Sequence, residues 1–420
     1  MKVLILGAGV IGTTTAYFLA RDGHEVTLVD RRPDVAQETS FANGGIIHIS
    51  LVDPWNAPGV ALKLLRWLGR EDSPLLLRPG ALPGMLGWGL AFLRNSTAAR
   101  HRRHTLVNLR LALYSAKVLR QLRAETDLAY DHAEQGLTKL FRDPRELEHA
   151  VAFARLLEPH GVAHRVLDRA EILALEPALE AGGKEIVGAV LFPDDETGDA
   201  RMFTRAVADL AEAAGAELRL GTSVEAIEAA GDRITGVRTG AGRLSADAYV
   251  LALGSYTPLL ARPLGLRLPI YPVKGYSLTA PLDGWNAAPR LPIVDEALKV
   301  GLIPLGERLR IAGSAEFGGY DPTPQARRAD YVWRNAVHVY PELARHVDRA
   351  AIKPWAGLRP MTADGPPILG ATRFANLFLN TGHGHLGWTM ACGSARAVAD
   401  VVSGRSPEID LDGLTAARFV

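Results

Sequence analysis

The sequence predicts an α/β protein of two domains: a discontinuous Rossmann-like dinucleotide-binding domain, and a second domain with a mostly antiparallel sheet and helices. Three observations lead there. A strand, a glycine turn, a helix and a second strand occupy residues 2–30; buried-strand patterns return at 247–254 and 375–379; and β-rich segments fill much of 264–317. The chain has 420 residues, beyond the roughly 250–300 at which a single core stops growing. The predicted division assigns 1–58, 199–262 and 352–420 to the dinucleotide domain, and 59–198 and 263–351 to the substrate-binding domain.

The elements follow in order. Residues 2–6 are an apolar run that enters Gly7-Ala8-Gly9-Val10-Ile11-Gly12; 13–22 read as a helix ending at Gly23, and His24–Asp30 as a strand ending in an acid. Each glycine answers a physical demand. Gly7 permits the tight turn, Gly9 lets backbone approach a pyrophosphate, and Gly12 lets helix pack on strand, while the helix N-terminus offers N–H groups to phosphate and Val10 and Ile11, within the turn, are read as cofactor contacts. Asp30, 18 positions after Gly12 (30 − 12), stands where a carboxylate accepts ribose hydroxyls, with Arg31 beside it. This turn alone does not separate FAD from NAD. Residues 101–126 form a helical pattern that belongs to neither Rossmann half, followed by a strand at 136–141 and a helix at 145–158. The Rossmann pattern resumes with a helix at 201–214 and a strand at 216–220. A small antiparallel excursion begins at Val224, and a buried strand at 247–253 ends in Gly254. Strands at 267–280, 291–295 and 300–317 precede a helix at 323–339; a strand at 375–379 and a helix at 388–403 close the chain.

Composition excludes several classes. Lys and Arg number 47 against 46 Asp and Glu, so no global field attracts nucleic acid. The single cysteine, Cys392, excludes an intramolecular disulfide and a cysteine-based zinc site. Asp194, Asp195 and Glu196 resemble a metal cluster, but tandem carboxylates point apart and no histidine follows nearby; turn and helix capping is the expectation, and no metal is predicted. The N-terminus reads as a strand, not a signal peptide. The apolar stretch at 79–93 is broken by Pro and Gly and falls short of the ~20 residues a membrane span needs.

Longer motifs carry a resemblance. GAGVIG at 7–12, TSFANGG at 39–45, PDDETGDA at 193–200, YPVKGYSLT at 271–279, GLRPMTADGPPILG at 357–370 and LNTGHGHLGWTMACGSAR at 379–396 resemble the D-amino acid dehydrogenase small-subunit family. That family lies within the flavoprotein class of D-amino acid oxidase, glycine oxidase and sarcosine oxidase. The resemblance implies FAD and oxidative deamination of D-amino acids to 2-oxo acids, with hydride passing from Cα to flavin N5. It implies flavin contacts at Ser40, at Asn43-Gly44-Gly45, and at Gly382, His383, Gly384, His385, Leu386, Gly387, Trp388 and Thr389. The helix that follows would direct its positive end at the flavin. Arg359 matches the carboxylate-binding arginine; Tyr271 and Tyr276 are candidates to direct a hydroxyl at the same carboxylate, or to pack in the core. His48 and His385 are read as pocket or flavin contacts, since hydride transfer from a neutral amine needs no protein base. Related oxidases hold their flavin through a cysteine near Trp355–Leu358; none stands there, so the FAD is expected to be non-covalent.

The expected partners are an amino-acid substrate and an electron acceptor such as a quinone or another redox carrier, with no nucleic acid. A cytoplasmic location is expected, with peripheral contact at the cytoplasmic face of the inner membrane as a variant. The amphipathic stretch Val60–Leu68, and the apolar run followed by Arg94, Arg100, Arg102 and Arg103, suit an interfacial helix or a helix of the substrate domain. Secondary-amine oxidation remains the alternative, followed by an NAD-dependent dehydrogenase and a non-catalytic electron-transfer subunit.

Overall fold

The structure is a computed structural model that describes residues 1–67 and 69–419. Its first sheet runs Ile368–Ala371, Leu377–Thr381, Ala248–Leu251, Lys2–Leu6, Glu25–Val29, Glu217–Arg219; all neighbours are parallel except the first pair. Apolar side chains such as Ile5, Leu28 and Val250 are buried because helices cover this sheet. The helices Val10–Arg21, Ala200–Ala213 and Gly387–Val402 supply the apolar cover.

The helix Ala98–Glu125 was expected to belong to neither Rossmann half, yet its Leu111, Tyr114, Val118 and Leu122 join this core beside Met390, Ala391 and Ala395. Small residues explain the docking. A Cβ on Gly393 would lie 2.7 Å from Ser115 Cα, and the Gly393 amide donates to Ser115 Oγ at 3.0 Å.

The second sheet has nine strands. Its path runs Trp355–Thr362, Ile270–Pro281, Arg308–Phe317, Val300–Leu305, Ile293–Asp295, Leu137–Phe141, Gly188–Phe192, Arg165–Leu167, and Leu75–Leu77 pairs with Arg308–Phe317. Pairing is antiparallel apart from Ile293–Asp295 on Leu137–Phe141 and Leu75–Leu77 on Arg308–Phe317. The segment read as one β stretch, 300–317, is a hairpin that turns at Gly306 with φ +56°. Trp355–Thr362 was expected in the dinucleotide domain, but it pairs along eight residues with Ile270–Pro281. The crossing back to the first sheet therefore falls after Thr362, before Ile368.

Among the described residues no helix is long and apolar enough to cross a membrane. Val60–Trp67 is helical; Leu68 lies outside the described residues, as do the side chains of Lys63, Leu65, Arg66 and Trp67.

Candidate functional site

The glycine turn separates needs of the fold from room for a ligand. Gly7 has φ +107° and a Cβ there would lie 2.6 Å from the Ala252 carbonyl oxygen; at Gly12 it would lie 1.8 Å from the Gly7 oxygen. A Cβ on Gly9 would touch only Ser40 Oγ, at 3.4 Å. The protein leaves that space open. Buried Ser40 accepts from the Val10 amide at 3.0 Å. Asp30 takes the Ala8 amide at 2.7 Å and the Arg32 amide at 2.8 Å, so its carboxylate first braces the turn and offers a ribose only its remaining lone pairs. The Arg31 guanidinium lies 4.1 Å from the Tyr256 ring centroid and bonds Glu38; Gly254, with φ +54°, begins the turn that carries Tyr256. Val224 opens the strand Val224–Ala230, half-buried.

Asn43 closes a side-chain turn by accepting from the Gly45 amide at 3.0 Å, and Gly45 has φ +71°. At Gly44 a Cβ would meet only Ala312, at 3.8 Å. The chain then reaches His48, whose amide donates to Thr389 Oγ1 at 3.1 Å and whose Nδ1 is buried without a partner. Opposite, His383 stands between Gly382 (φ +77°) and Gly384 (φ +57°), and its Nε2 is likewise buried without a partner. Burial lowers His48 and His383 to about 3 and His385 to about 4, so all three imidazoles are neutral at pH 7. Buried Leu386 caps the closing helix and Gly387 begins it. Trp388, expected as a flavin contact, turns into the core: its Nε1 donates to the Gly198 carbonyl at 3.0 Å and its ring packs 4.5 Å from Phe203.

The two tyrosines separate. They are five positions apart (276 − 271) on one strand, and alternation puts them on opposite faces. Tyr276 is buried in the core with Leu278 and Ile311, and its hydroxyl donates to Glu316 Oε2 at 2.5 Å. Burial raises its pKa, and the carboxylate raises it further. Tyr271 packs 5.5 Å from Trp88 and lines a cavity of about 650 Å³ with Arg78, Glu316 and Tyr320. Lys274, between them, bonds Asp321 at 3.2 Å and the Thr323 carbonyl at 3.1 Å.

Arg359 pairs in register with Val273, on Tyr271's side, and its guanidinium covers Gly275: a Cβ there would lie 2.2 Å from Nη1. Its one hydrogen bond among the described residues is a long one, 3.4 Å to the carbonyl of Ser314, a bulged residue with φ +62°. No ion pair holds Arg359 among the described residues, and burial alone lowers it to about 10. It stays a cation at neutral pH. The indole of Trp55, which the sequence reading passed over, lies 5.7 Å from the guanidinium carbon and is stacked 5.4 Å from His385; His385 is stacked 6.5 Å from His48. Guanidinium, indole and two imidazoles thus form a row from the second sheet to the turn at 382–389.

The acidic run 193–199 disperses as expected from its spacing. Asp195 is fully buried and accepts from the Ile49 amide at 2.7 Å and from the Ser50 hydroxyl. Asp199 caps Ala200–Ala213, accepting from the Arg201 amide at 2.9 Å. Glu196 lies near His132 and Glu134, a group with ligand spacing, but Arg123 donates to all three and makes the group an ion-pair network.

A Rossmann-like sheet with an open glycine turn, unpartnered imidazoles, and an antiparallel sheet carrying a lone arginine define a two-domain flavoenzyme architecture. The open space at Gly9 and the free His48 Nδ1 and His383 Nε2 fit a group with a phosphate end and a hydrogen-bonding ring end. The chain belongs to the family described as FAD-dependent oxidoreductase, whose model matches residues 2–401. Over 420 residues it is 50% identical to a D-amino acid dehydrogenase of Paramagnetospirillum magneticum, covering 100% of this chain and 99% of that one. A D-amino acid dehydrogenase of Methylobacterium radiotolerans is 49% identical over 420 residues, with 100% of both covered. In fold it is similar to an L-proline dehydrogenase from P. horikoshii (TM-score 0.79, 19% identity, 100% and 97% covered). It is also similar to a glycine oxidase from Geobacillus kaustophilus (TM-score 0.77, 24% identity, 100% and 98% covered).

Proposed function

We propose that this chain oxidises D-amino acids to imino acids, which hydrolyse to 2-oxo acids, and passes the electrons to a quinone-type acceptor. The observation that carries the reading is Arg359, a half-buried cation with no anion of its own among the described residues, on the sheet face that also holds Tyr271. Desolvated and set over the Trp55 ring, it suits a small carboxylate better than a bulky or cationic ligand. FAD, when bound, supplies the two-electron acceptor. The glycine turn, Ser40 and Asn43–Gly45 would hold it at one end, and His48, His383 and Thr389 at the other. A thioether link needs a cysteine at the site; Cys392 is sealed in the closing helix and its thiol is pushed up by burial, which supports non-covalent binding.

The chain's own residues bind and orient. Arg359 holds the carboxylate, which fixes Cα relative to the turn at 382–389. The imidazoles, held neutral and weakly basic, supply hydrogen-bonding edges without becoming the proton acceptor; the substrate must arrive with its amine neutral. Replacing Arg359 by Ala removes a charged contact worth ~1.5–3 kcal/mol, so KM for D-alanine rises on the order of 10- to 150-fold while FAD is retained. An unchanged KM removes Arg359 from the site and the reading with it.

Helix Leu82–Arg94 supports membrane contact at the acceptor step. It buries Met85, Trp88 and Phe92, yet Leu86 and Leu90 are 62% and 60% exposed, and exposed Arg94, Arg100, Arg102 and Arg103 follow. Apolar residues all round a surface helix, next to basic ones, suit an anionic lipid surface. The protein should float with anionic vesicles and not with neutral ones.

A further inference from the structure

We propose that Trp55 is a positioning residue for the substrate carboxylate: its indole face fixes the plane of the Arg359 guanidinium so that the N–H edge meets the substrate. The inference rests on the reading of Arg359 as the carboxylate anchor and goes beyond it. An arginine that must receive a carboxylate repeatedly in one geometry needs an orienting contact, because its side chain is long and flexible. Such contacts are ordinarily carboxylates or carbonyls. Arg359 has one long hydrogen bond, 3.4 Å to the Ser314 carbonyl, and no carboxylate among the described residues. What remains is the guanidinium lying over Gly275 and a cation–π contact with Trp55, whose ring centroid is 5.7 Å from the guanidinium carbon. A π-face attracts a cation without occupying its N–H groups.

Trp55 is itself held from several sides. Asn56 Nδ2 donates to the Ala363 carbonyl at 3.1 Å, and Asn108 Nδ2 donates to the Val52 carbonyl at 2.8 Å. Pro54 pairs its carbonyl with His101 Nε2 at 3.1 Å and sits against Gly365, where a Cβ would lie 2.5 Å from the proline ring. His385 stacks on the indole at 5.4 Å and 28°. The segment 52–56 is therefore a strap fastened to the helix Ala98–Glu125 and to the segment 363–365, and it presents a half-buried indole between the guanidinium and the 382–389 turn.

The test uses holoenzyme and four variants: Trp55→Phe, Trp55→Leu, Arg359→Ala and the double variant Trp55→Leu/Arg359→Ala. Propionate, a carboxylate with no amine to oxidise, is titrated while the flavin absorbance is followed, and kcat and KM are measured with D-alanine. Trp55→Leu keeps an apolar side chain but loses the π-face; propionate Kd and D-alanine KM should each rise roughly 3- to 30-fold, the span expected for a cation–π contact, with kcat changed less than KM. Trp55→Phe should recover most of the affinity. In the Arg359→Ala background the same Leu substitution should add nothing. Equal affinities for the Phe and Leu variants, or an undiminished Leu effect without Arg359, would overturn the positioning role and leave Trp55 as packing. If Arg359→Ala alone leaves propionate and D-alanine unaffected, the anchor reading has failed, and that outcome is distinct from the other two.

Discussion

Gly275→Ala probes the site without removing a single charged group. In the native strand the Arg359 guanidinium lies where a Cβ would be, 2.2 Å from Nη1 and 2.3 Å from Cζ. Ordinary contact begins at 3.4 Å, so the guanidinium must retreat by 1.2 Å (3.4 − 2.2). Gly275 has ordinary extended backbone in the strand Ile270–Pro281, so alanine fits the chain there, and the clashing atoms are the far end of a flexible side chain. Folding should therefore hold, with Tm within a few degrees of wild type. A charged hydrogen bond of about 2.8 Å stretched by that amount is largely lost, about 1.5–3 kcal/mol, and a misplacement of ~1 Å at a reacting centre costs on the order of 100-fold. Steady-state kinetics with D-alanine and a quinone analogue should give a KM raised on the order of 10- to 100-fold and a reduced kcat. A folded, flavin-loaded variant with wild-type KM would refute the placement of the substrate carboxylate over this strand.

Two glycines of the first turn should fail differently. At Gly9 an added Cβ meets only the Ser40 hydroxyl, at 3.4 Å, so Gly9→Val should fold and lose its yellow colour, whereas Gly12→Ala puts a methyl group 1.8 Å from the Gly7 oxygen and should lose the fold itself; flavin-to-protein absorbance and circular dichroism separate the two. Asp195 gives a pH signature. Burial raises its carboxyl to about 7, above the ~4 of an unfolded chain, so the protonated folded form contributes stability that is full below pH ~4 and lost as pH rises through 7. Relative to Asp195→Asn, the wild type should therefore lose Tm between pH 4.5 and 7.5; a constant difference across that window would contradict the raised carboxyl of the buried Asp195.

How much of this was legible in the sequence depends on whether a requirement is local. Gly7, Gly9, Gly12 and Asp30 satisfy demands that act within one βαβ unit; the strand Lys2–Leu6 forms where the pattern puts it, and the helix read as 13–22 forms three residues earlier, as Val10–Arg21. Arg359 could be singled out by its motif, but its isolation from any carboxylate depends on which residues the second sheet brings near. Tyr276 could have been set apart from Tyr271 by counting: an odd spacing on one strand means opposite faces. Trp388 sits in the motif that resembles the family's, at the start of the closing helix, yet its partners, Gly198 and Phe203, come from a distant segment. Trp55 lies in a loop with no periodicity, and only the fold places it between Arg359 and His385. The helix Ala98–Glu125 was misplaced for a similar reason, since the Ser115–Gly393 contact joins residues 278 apart.

The most direct test of the central claim is an anaerobic absorbance titration of the purified protein with D-alanine and, separately, L-alanine, followed by a quinone analogue. The account predicts a yellow, FAD-loaded protein whose flavin band is bleached by D-alanine and not by L-alanine, and restored rapidly by the quinone analogue. Bleaching by L-alanine with no response to D-alanine would contradict it, as would a flavin indifferent to both.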